Sequence, residues 1–458
     1  MIEQSFPNTD RQGETHEATS PPGMHILEFP RELQFFILAK LDGVALGHVQ
    51  CVCRSWQEIV GHLESSFNIW LRCCLKEIPS YILVELTGMC RFIEQGEITA
   101  DVCNRVGWEF WRDLYREYRR GELLTRWQET SMEITIPFMY GKATSIDLGE
   151  RYLVSGHTTG NVLVWENLRE TDALTMGLVH KHHQHVSCVR VLASERSWTD
   201  LGAAQVEDAC PCVASSSRDC VINVSTIRGT DTHHIAHFSQ QVNNLSVCGE
   251  YFVAAAKSSV LHGQPVWRVA SSRPLNLEQT DQLWGQRTSN VTAVAMTFGT
   301  VVSGDVMGNL MMWDSGVDEL KGREPEVIHK FSSSVKQICL QGERLVCLLD
   351  DGSLWVRRDT KFTQWLADDL FETYQGTAKC LSLRGTILAV ATTMGGVFLY
   401  SIPDNKSWDM LEFKHPDSVV RTGKNTITSI SLGDDGKSPV VAIAADDETI
   451  TIIRWQPF

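Results

Sequence analysis

Seven segments of this chain share one plan: an apolar strand, a turn, a second apolar strand, a tight polar turn and a third strand. They begin near Thr144, Ser187, Val242, Val291, Val335, Ala378 and Ile427, at steps from 43 residues (Thr144 to Ser187) to 55 (Ser187 to Val242). Each unit is a small antiparallel sheet that cannot bury its faces alone, so stacking on its neighbours is built into the pattern, and the spacing fits one four-stranded propeller blade. Two copies align residue by residue. Tyr152-Leu153-Val154-Ser155-Gly156 precedes a turn and Asn161-Val162-Leu163-Val164-Trp165; Thr300-Val301-Val302-Ser303-Gly304 precedes a turn and Asn309-Leu310-Met311-Met312-Trp313. In both, the turn glycine lies five residues before the tryptophan, where a tight hairpin needs a positive φ. The second repeat holds an insertion near Glu195 to Pro211, and the third, around Tyr251 to Trp267, is poorly formed. The last repeat ends at Ile453-Arg454-Trp455 without a fourth strand. An early strand, Met132 to Phe138, is expected to complete that sheet and close the ring, which removes exposed edges.

Before Ser131 the apolar period changes from about 2 to about 3.6, which marks the main domain boundary. Pro30 suits a first helical turn, Glu32 suits the positive end of the helix dipole, and Leu33, Ile37, Leu38 and Leu41 fall on one face. Asp42-Gly43 breaks the run. Leu46, Val49, Val52, Cys53, Trp56, Ile59 and Val60 then recur at helical spacing; Gly61 interrupts, and Phe67 and Trp70 follow. So few residues bury too little surface to be comfortably stable alone. They form either a plain N-terminal helical subdomain or a module whose apolar face is finished by another protein, and the order of residues favours the second. From Leu71 to Trp127 the pattern stays helical. Trp108, Trp111, Tyr115 and Tyr118 stack on one face, and the Arg and Glu/Asp residues between them nearly balance, which predicts a packed, salt-bridged spacer and not an RNA-binding patch.

The stretch Met24 to Trp70 resembles the F-box. The carrying residues are Phe29-Pro30-Arg31-Glu32-Leu33, Ile37, Leu41, Val52-Cys53-Arg54-Ser55-Trp56 and the late Trp70; Phe29 stands where the family usually has Leu. The repeats resemble the WD-repeat family, with Trp313-Asp314 the literal signature dipeptide and Trp165-Glu166 a near match. The expected fold class is therefore an α+β multidomain chain: a disordered leader over 1–23, an F-box over 24–70, a helical linker over 71–130, and an all-β seven-bladed WD-repeat-like propeller over 131–458. The resemblance to F-box/WD-repeat proteins implies a substrate-recognition subunit of a cullin–RING ubiquitin ligase. It implies docking of the small ligase adaptor, and through it the cullin, on Phe29, Pro30, Leu33, Ile37, Leu41, Val49, Val52, Cys53, Trp56 and Ile59. It also implies that a target protein sits on the propeller rim built from the tight turns and from the loops leading into each repeat. The turns carry His157, Arg218, Lys257, Asp305, Asp351 and Asp447; the loops carry Lys181, Arg287, Lys330, Arg421 and Lys424. Of these, His157, Arg218, Lys257, Arg287, Asp305, Arg421 and Lys424 are the candidate target-binding set, and Arg218, Arg287 and Arg421 are candidates for a phosphate-reading cluster.

Composition removes other classes. The formal net charge of −15 argues against a protein that holds nucleic acid through phosphate contacts. No apolar run approaches bilayer length, and the polar leader does not read as a secretory signal. The fourteen cysteines, many in apolar strand-like runs such as Cys188, Cys339, Cys347 and Cys380, read as small buried hydrophobes in a reducing compartment, the cytoplasm or nucleus. No phosphate loop, nucleophile elbow or His-Glu-x-x-His motif occurs, and no cofactor or enzymatic activity is expected. The cluster His180, His182, His183 and His185 raises metal binding as a minor alternative, against a structural histidine in the loop before a blade. The pairs Asp350-Asp351, Asp434-Asp435 and Asp446-Asp447 read as turn formers. A scaffold that never joins a ligase is the main rival reading.

Overall fold

The computed structural model describes residues 29–87, 89, 106–122, 127–149, 152–168, 174–192, 211–235, 238, 241–249, 251–256, 264–272, 275–283, 290–297, 299–314, 325–359, 361–365, 376–423, 426–435 and 438–456. Two compact units divide the chain, residues 1–67 and 68–458. The leader expected over 1–23 lies outside the described residues.

In the first unit, α1 (Arg31–Leu38) follows Pro30, whose φ of −50° already suits a helix start. Asp42 does more than break the run: its carboxylate accepts from Ala45 N at 2.7 Å and caps α2 (Gly43–Val49). The expected second helical stretch is two helices, because α3 starts afresh at Arg54 and runs through Gly61 to Phe67. Gly61 therefore weakens a helix without ending it. Leu38, Leu46, Ile59, Val60 and Leu63 form the small core.

The second unit is a seven-bladed propeller of four-stranded antiparallel sheets. The inner strands are Ala143–Gly149, Val186–Leu192, Leu245–Cys248, Val291–Thr297, Val335–Gln341, Ala378–Arg384 and Ile427–Asp434, for blades one to seven. Ring closure occurs as the repeats require: Gln128–Thr135 pairs antiparallel with Thr449–Gln456 and completes blade seven. That strand is shifted toward the N-terminus relative to the expected Met132 to Phe138. Pro137 cannot donate to a ladder, and Phe138–Tyr140 instead forms a 3-10 turn.

Among the described residues, three helices precede the ring in this unit: α4 (Ile69–Glu77), α5 (Ser80–Thr87) and α6 (Trp108–Gly121). Trp111, Tyr115 and Tyr118 are buried along α6, as their spacing predicts. Tyr115 donates to Glu77 Oε2 at 2.5 Å, and its ring lies 5.6 Å from that of Trp70. Trp70, read from sequence as the last F-box residue, thus packs within the propeller unit.

The helices are fixed to the turns between first and second strands. Arg120 on α6 makes a two-pronged pair with Asp434, at 3.0 and 2.6 Å. Glu85 on α5 accepts from Gln341 Nε2 at 2.5 Å and from Gly385 N at 3.0 Å. Arg344 donates to Ile402 O at 3.0 Å and lies over the ring of Tyr81, beside a short helix α7 (Asn405–Asp409). These contacts place α5 and α6 at one rim of the ring, on blades five to seven. Along each antiparallel second strand, the tight polar turns lie at the opposite rim.

Candidate functional site

Two surfaces and one buried cluster carry the candidate residues. On the first unit, Leu33 is 50% exposed and Val52 63%, while Phe36, at 62%, joins them. Pro30 is exposed; Phe29, Ile37, Leu41, Val49, Cys53 and Trp56 are half-buried. The face exists because α1 spends its other side on the core. Leu38 is buried, and so is Gln34, which accepts from Trp56 Nε1 at 3.1 Å and donates to Phe29 O at 2.9 Å. Trp56 is thereby held in place by its polar edge while its ring stays partly open. Ile59 departs from expectation: it is 2% exposed and belongs to the core, so it is corrected from docking residue to support. Phe36 and Val44 are exposed as well; the sequence signal for Phe36 is its helical offset from Leu33, three residues before it.

At the rim of the tight turns, Arg218, Asp351, Lys181, Lys330 and Arg421 are exposed. His157 and Asp305 are not, being 0% and 1% accessible. Both lie at the start of a tight turn, with their polar atoms spent on bonds inside the blade. Asp305 accepts from Met307 N at 3.0 Å, Asn309 N at 2.9 Å and Asn309 Nδ2 at 2.9 Å. His157 bonds to Gly141 O at 3.2 Å and Ser155 Oγ at 2.9 Å, and Trp165 Nε1 donates to that same hydroxyl at 2.8 Å. Burial lowers the His157 pKa to about 4, so the imidazole is neutral. These two residues are wall, not ligand surface, and are corrected accordingly. Lys257, Arg287 and Lys424 lie outside the described residues. Arg218 sits on blade two and Arg421 ends the outer strand of blade six, with blades seven and one between them, so these two do not neighbour each other. The apolar side chains exposed at this rim were missed from sequence: Phe138 and Met139 in the turn leading into blade one, Val306 and Met307 on blade four, and Met394 on blade six. Their positions follow from turn geometry, but nothing in a lone Met-Gly or Phe-Met marks them as exposed.

The histidine cluster divides. His183 is exposed and His185 half-buried, while His180, on the outer strand of blade one, and His182, in the loop after it, are sealed against blade two. His180 bonds to Ser225 Oγ at 2.6 Å and Ser215 Oγ at 2.5 Å. His182 meets Ser215 Oγ at 2.7 Å and the Asp219 carboxylate at 3.3 Å. The Asp219–His182–Ser215 array has the order of a hydrolase triad, yet Ser215 is fully buried and no substrate carbonyl reaches it. Burial drives the pKa of His180 down to about 3 and lowers that of His182 against the pull of Asp219. In blade one Trp165 fills the corresponding third-strand position. Ser225 stands there in blade two, and His180 occupies the space and restores the bonds. Among the described residues no group of three His, Cys, Asp or Glu is placed to hold a metal, and no helix is long and apolar enough to cross a membrane. Asp351, Asp435 and Asp447 accept bonds from Ser353, Ser438 and Thr449 within their turns, as expected of turn formers.

Comparison with known proteins agrees with both units. The F-box domain family matches residues 26–68, so the first unit is an F-box domain. Among solved structures, the chain is similar to the crystal structure of the WD40 beta propeller domain of Doa1. The TM-score is 0.50 at 12% identity, over 70% of this chain and 95% of that one, a likeness that establishes the fold alone. Comparison with curated proteins gives no match.

Proposed function

We propose that this chain is the target-recognition subunit of a cullin–RING ubiquitin ligase. F-box domains generally bind the small adaptor subunit of such ligases, and the observation that carries the reading is the open apolar face of this one. Leu33, Phe36 and Val52 are each at least half exposed in a unit whose own core is already filled. A surface of that kind is stabilised by covering it with a partner. The propeller's role is then to hold a target at the rim of its tight turns, away from the rim occupied by α5 and α6. It performs no bond chemistry; tethering raises the local concentration of target lysines near the charged ubiquitin carrier.

The test is a binding measurement between the full chain and purified adaptor subunit. Leu33→Glu with Val52→Glu places two charges on the face without touching Leu38, Leu46 or Ile59. Each unpaired charge driven into an apolar interface costs about 2 kcal/mol or more, so affinity should fall by about a thousandfold while helix content stays unchanged. Equal adaptor binding by wild type and variant, or none by wild type, would sink the proposal.

A further inference from the structure

The central channel of the propeller encloses a cavity of about 510 Å³, reached by side chains of the inner strands and, at one end, of α5. At the opposite end lies a ring formed by the second residue of each inner segment. In blades one, four and seven this residue is a threonine that ties its blade to the next. Thr144 Oγ1 donates to Val186 O at 2.6 Å, Thr428 Oγ1 to Ala143 O at 2.8 Å, and Thr292 Oγ1 to Val335 O. Blade three uses Asn243, whose Nδ2 donates to Val291 O at 3.4 Å, and blade two has Ser187. Blades five and six break the pattern with Lys336 and Lys379, side by side in the ring and both lining the cavity.

Two lysines in place of two ties are costly. Each forgoes an inter-blade hydrogen bond of the kind its counterparts make, and they repel one another. Neither ammonium has a carboxylate within ion-pair distance among the described residues. Burial and the charge of Lys379 both press the Lys336 pKa below its ordinary value, against the pull of Asp350 in the neighbouring turn. The charges deeper in the channel are balanced by contrast. Arg384 lies 3.6 Å from Glu117. Asp147 acts on Arg190 and accepts from Val191 N at 2.8 Å, and Glu85 is held by Gln341 and Gly385. Among the described residues lining the channel, uncompensated positive charge thus lies at the end facing the tight-turn rim.

We propose that Lys336 and Lys379 form an anion-binding pair at this mouth of the channel, taking the phosphate or carboxylate groups of a small polyanion. The site rests on the ring geometry and stands whether or not the F-box unit docks a ligase. Two oxygens of one phosphate, or two groups of one polyanion, would supply the missing acceptors for both ammonium groups at once. The anion has two possible sources, a free polyanion or an acidic or phosphorylated side chain on a bound target.

The experiment uses the full chain at fixed ionic strength, because salt alone screens lysines. Lysine acetylation is followed by mass spectrometry with inorganic pyrophosphate as probe and, in a second arm, with a capped Gly-Gly-phosphoSer-Gly-Gly peptide. Lys336 and Lys379 should be protected by about fivefold or more relative to exposed Lys181 and Lys330, as expected with the probe several times above its dissociation constant. Protection by the peptide at lower concentration assigns the anion to a target chain; protection by pyrophosphate at lower concentration assigns it to a free polyanion. The double variant Lys336→Thr, Lys379→Thr restores the tie found in blades one, four and seven, so it should fold and unfold at a higher temperature. It should also lose the rise in unfolding temperature that pyrophosphate gives wild type. No selective protection by either probe, or an equal pyrophosphate response in the double variant, overturns the proposal.

Discussion

The two buried turn residues, His157 and Asp305, mark how far a sequence position alone can be read. Both occupy the first place of a tight turn, a place legible from the glycine spacing, and both looked like rim residues. Whether a side chain there points out or folds back onto its own turn depends on the donors it finds, and Asp305 finds three within four residues. His157 instead joins Trp165 and Ser155 in a buried chain of bonds, with a pH consequence. Its pKa falls from 6.5 to about 4 on folding, so the unfolded chain binds more protons between those values. The stabilisation is complete above pH 6.5 and is lost as pH falls through about 4. Between pH 7 and pH 5 this one group should account for about 2 kcal/mol of lost stability. His157→Asp removes that titration, and an Asp there can accept from the turn as Asp305 does. Chemical denaturation at the two pH values should therefore show a pH-dependent loss about 2 kcal/mol smaller in the variant. The raised pKa values of Glu85, Glu117 and Asp147 act in the opposite sense, but they are common to both proteins and cancel in the difference. An identical pH slope in wild type and variant would remove the buried-histidine explanation.

Among the elements, α6 is legible as a helix with a buried aromatic face, because a 3.6-residue aromatic period leaves little alternative. Its anchorage was not readable. Arg120 and Asp434 are 314 positions apart, and the Asp-Asp pair by itself reads only as a turn. In the structure the two Asp residues diverge: Asp435 caps its own turn, whereas Asp434 pairs with Arg120 with both side chains nearly inaccessible. The same offset between local and long-range information explains Gly61, which breaks helices by propensity but is carried through α3 by the core contacts of Ile59, Val60 and Leu63 on either side. Breaking a buried, two-pronged ion pair while leaving one charge in place costs about 3 kcal/mol or more. Asp434→Asn should therefore destabilise the α6 end of the unit by that order. It should also let the Glu117 carboxyl titrate closer to its ordinary value, since Asp434 is one of the charges raising it. Hydrogen exchange reports this directly: amides of Trp108–Gly121 should exchange faster by about a hundredfold, with those of the blade-two inner strand unaffected. Uniform acceleration across both regions would mean the pair supports the whole ring and not the helix.

For the molecule as a whole, the repeat carried the fold because a period survives poor individual copies, and closure was legible because one sheet was a strand short at one end of the chain and a strand long at the other. The register was not, since it is set by which residues find partners along Thr449–Gln456 and by Pro137 ending the ladder. Closure by a non-consecutive strand makes the first blade's neighbour depend on residues from both ends of the repeat array. Ile134 is the point where that dependence concentrates: it is buried, pairs with Ile450, and packs with Ile146, Leu153, Leu163 and Ile452 across the seam between blades seven and one. Aspartate at that position leaves an unpaired carboxylate in an apolar site, at a cost of about 3 kcal/mol or more. If the ring is one cooperative body, Ile134→Asp should shift the unfolding of distant blades by the same amount as the seam. Exchange of the blade-four inner strand, Val291–Thr297, should accelerate in step with that of Ala143–Gly149. If the closing strand is only an appendage, blade four keeps its protection while blade one loses it, and the seven sheets behave as a stack of nearest neighbours with two ends. The closed topology favours the first outcome, because a ring with a single broken seam exposes two full sheet faces to water at once.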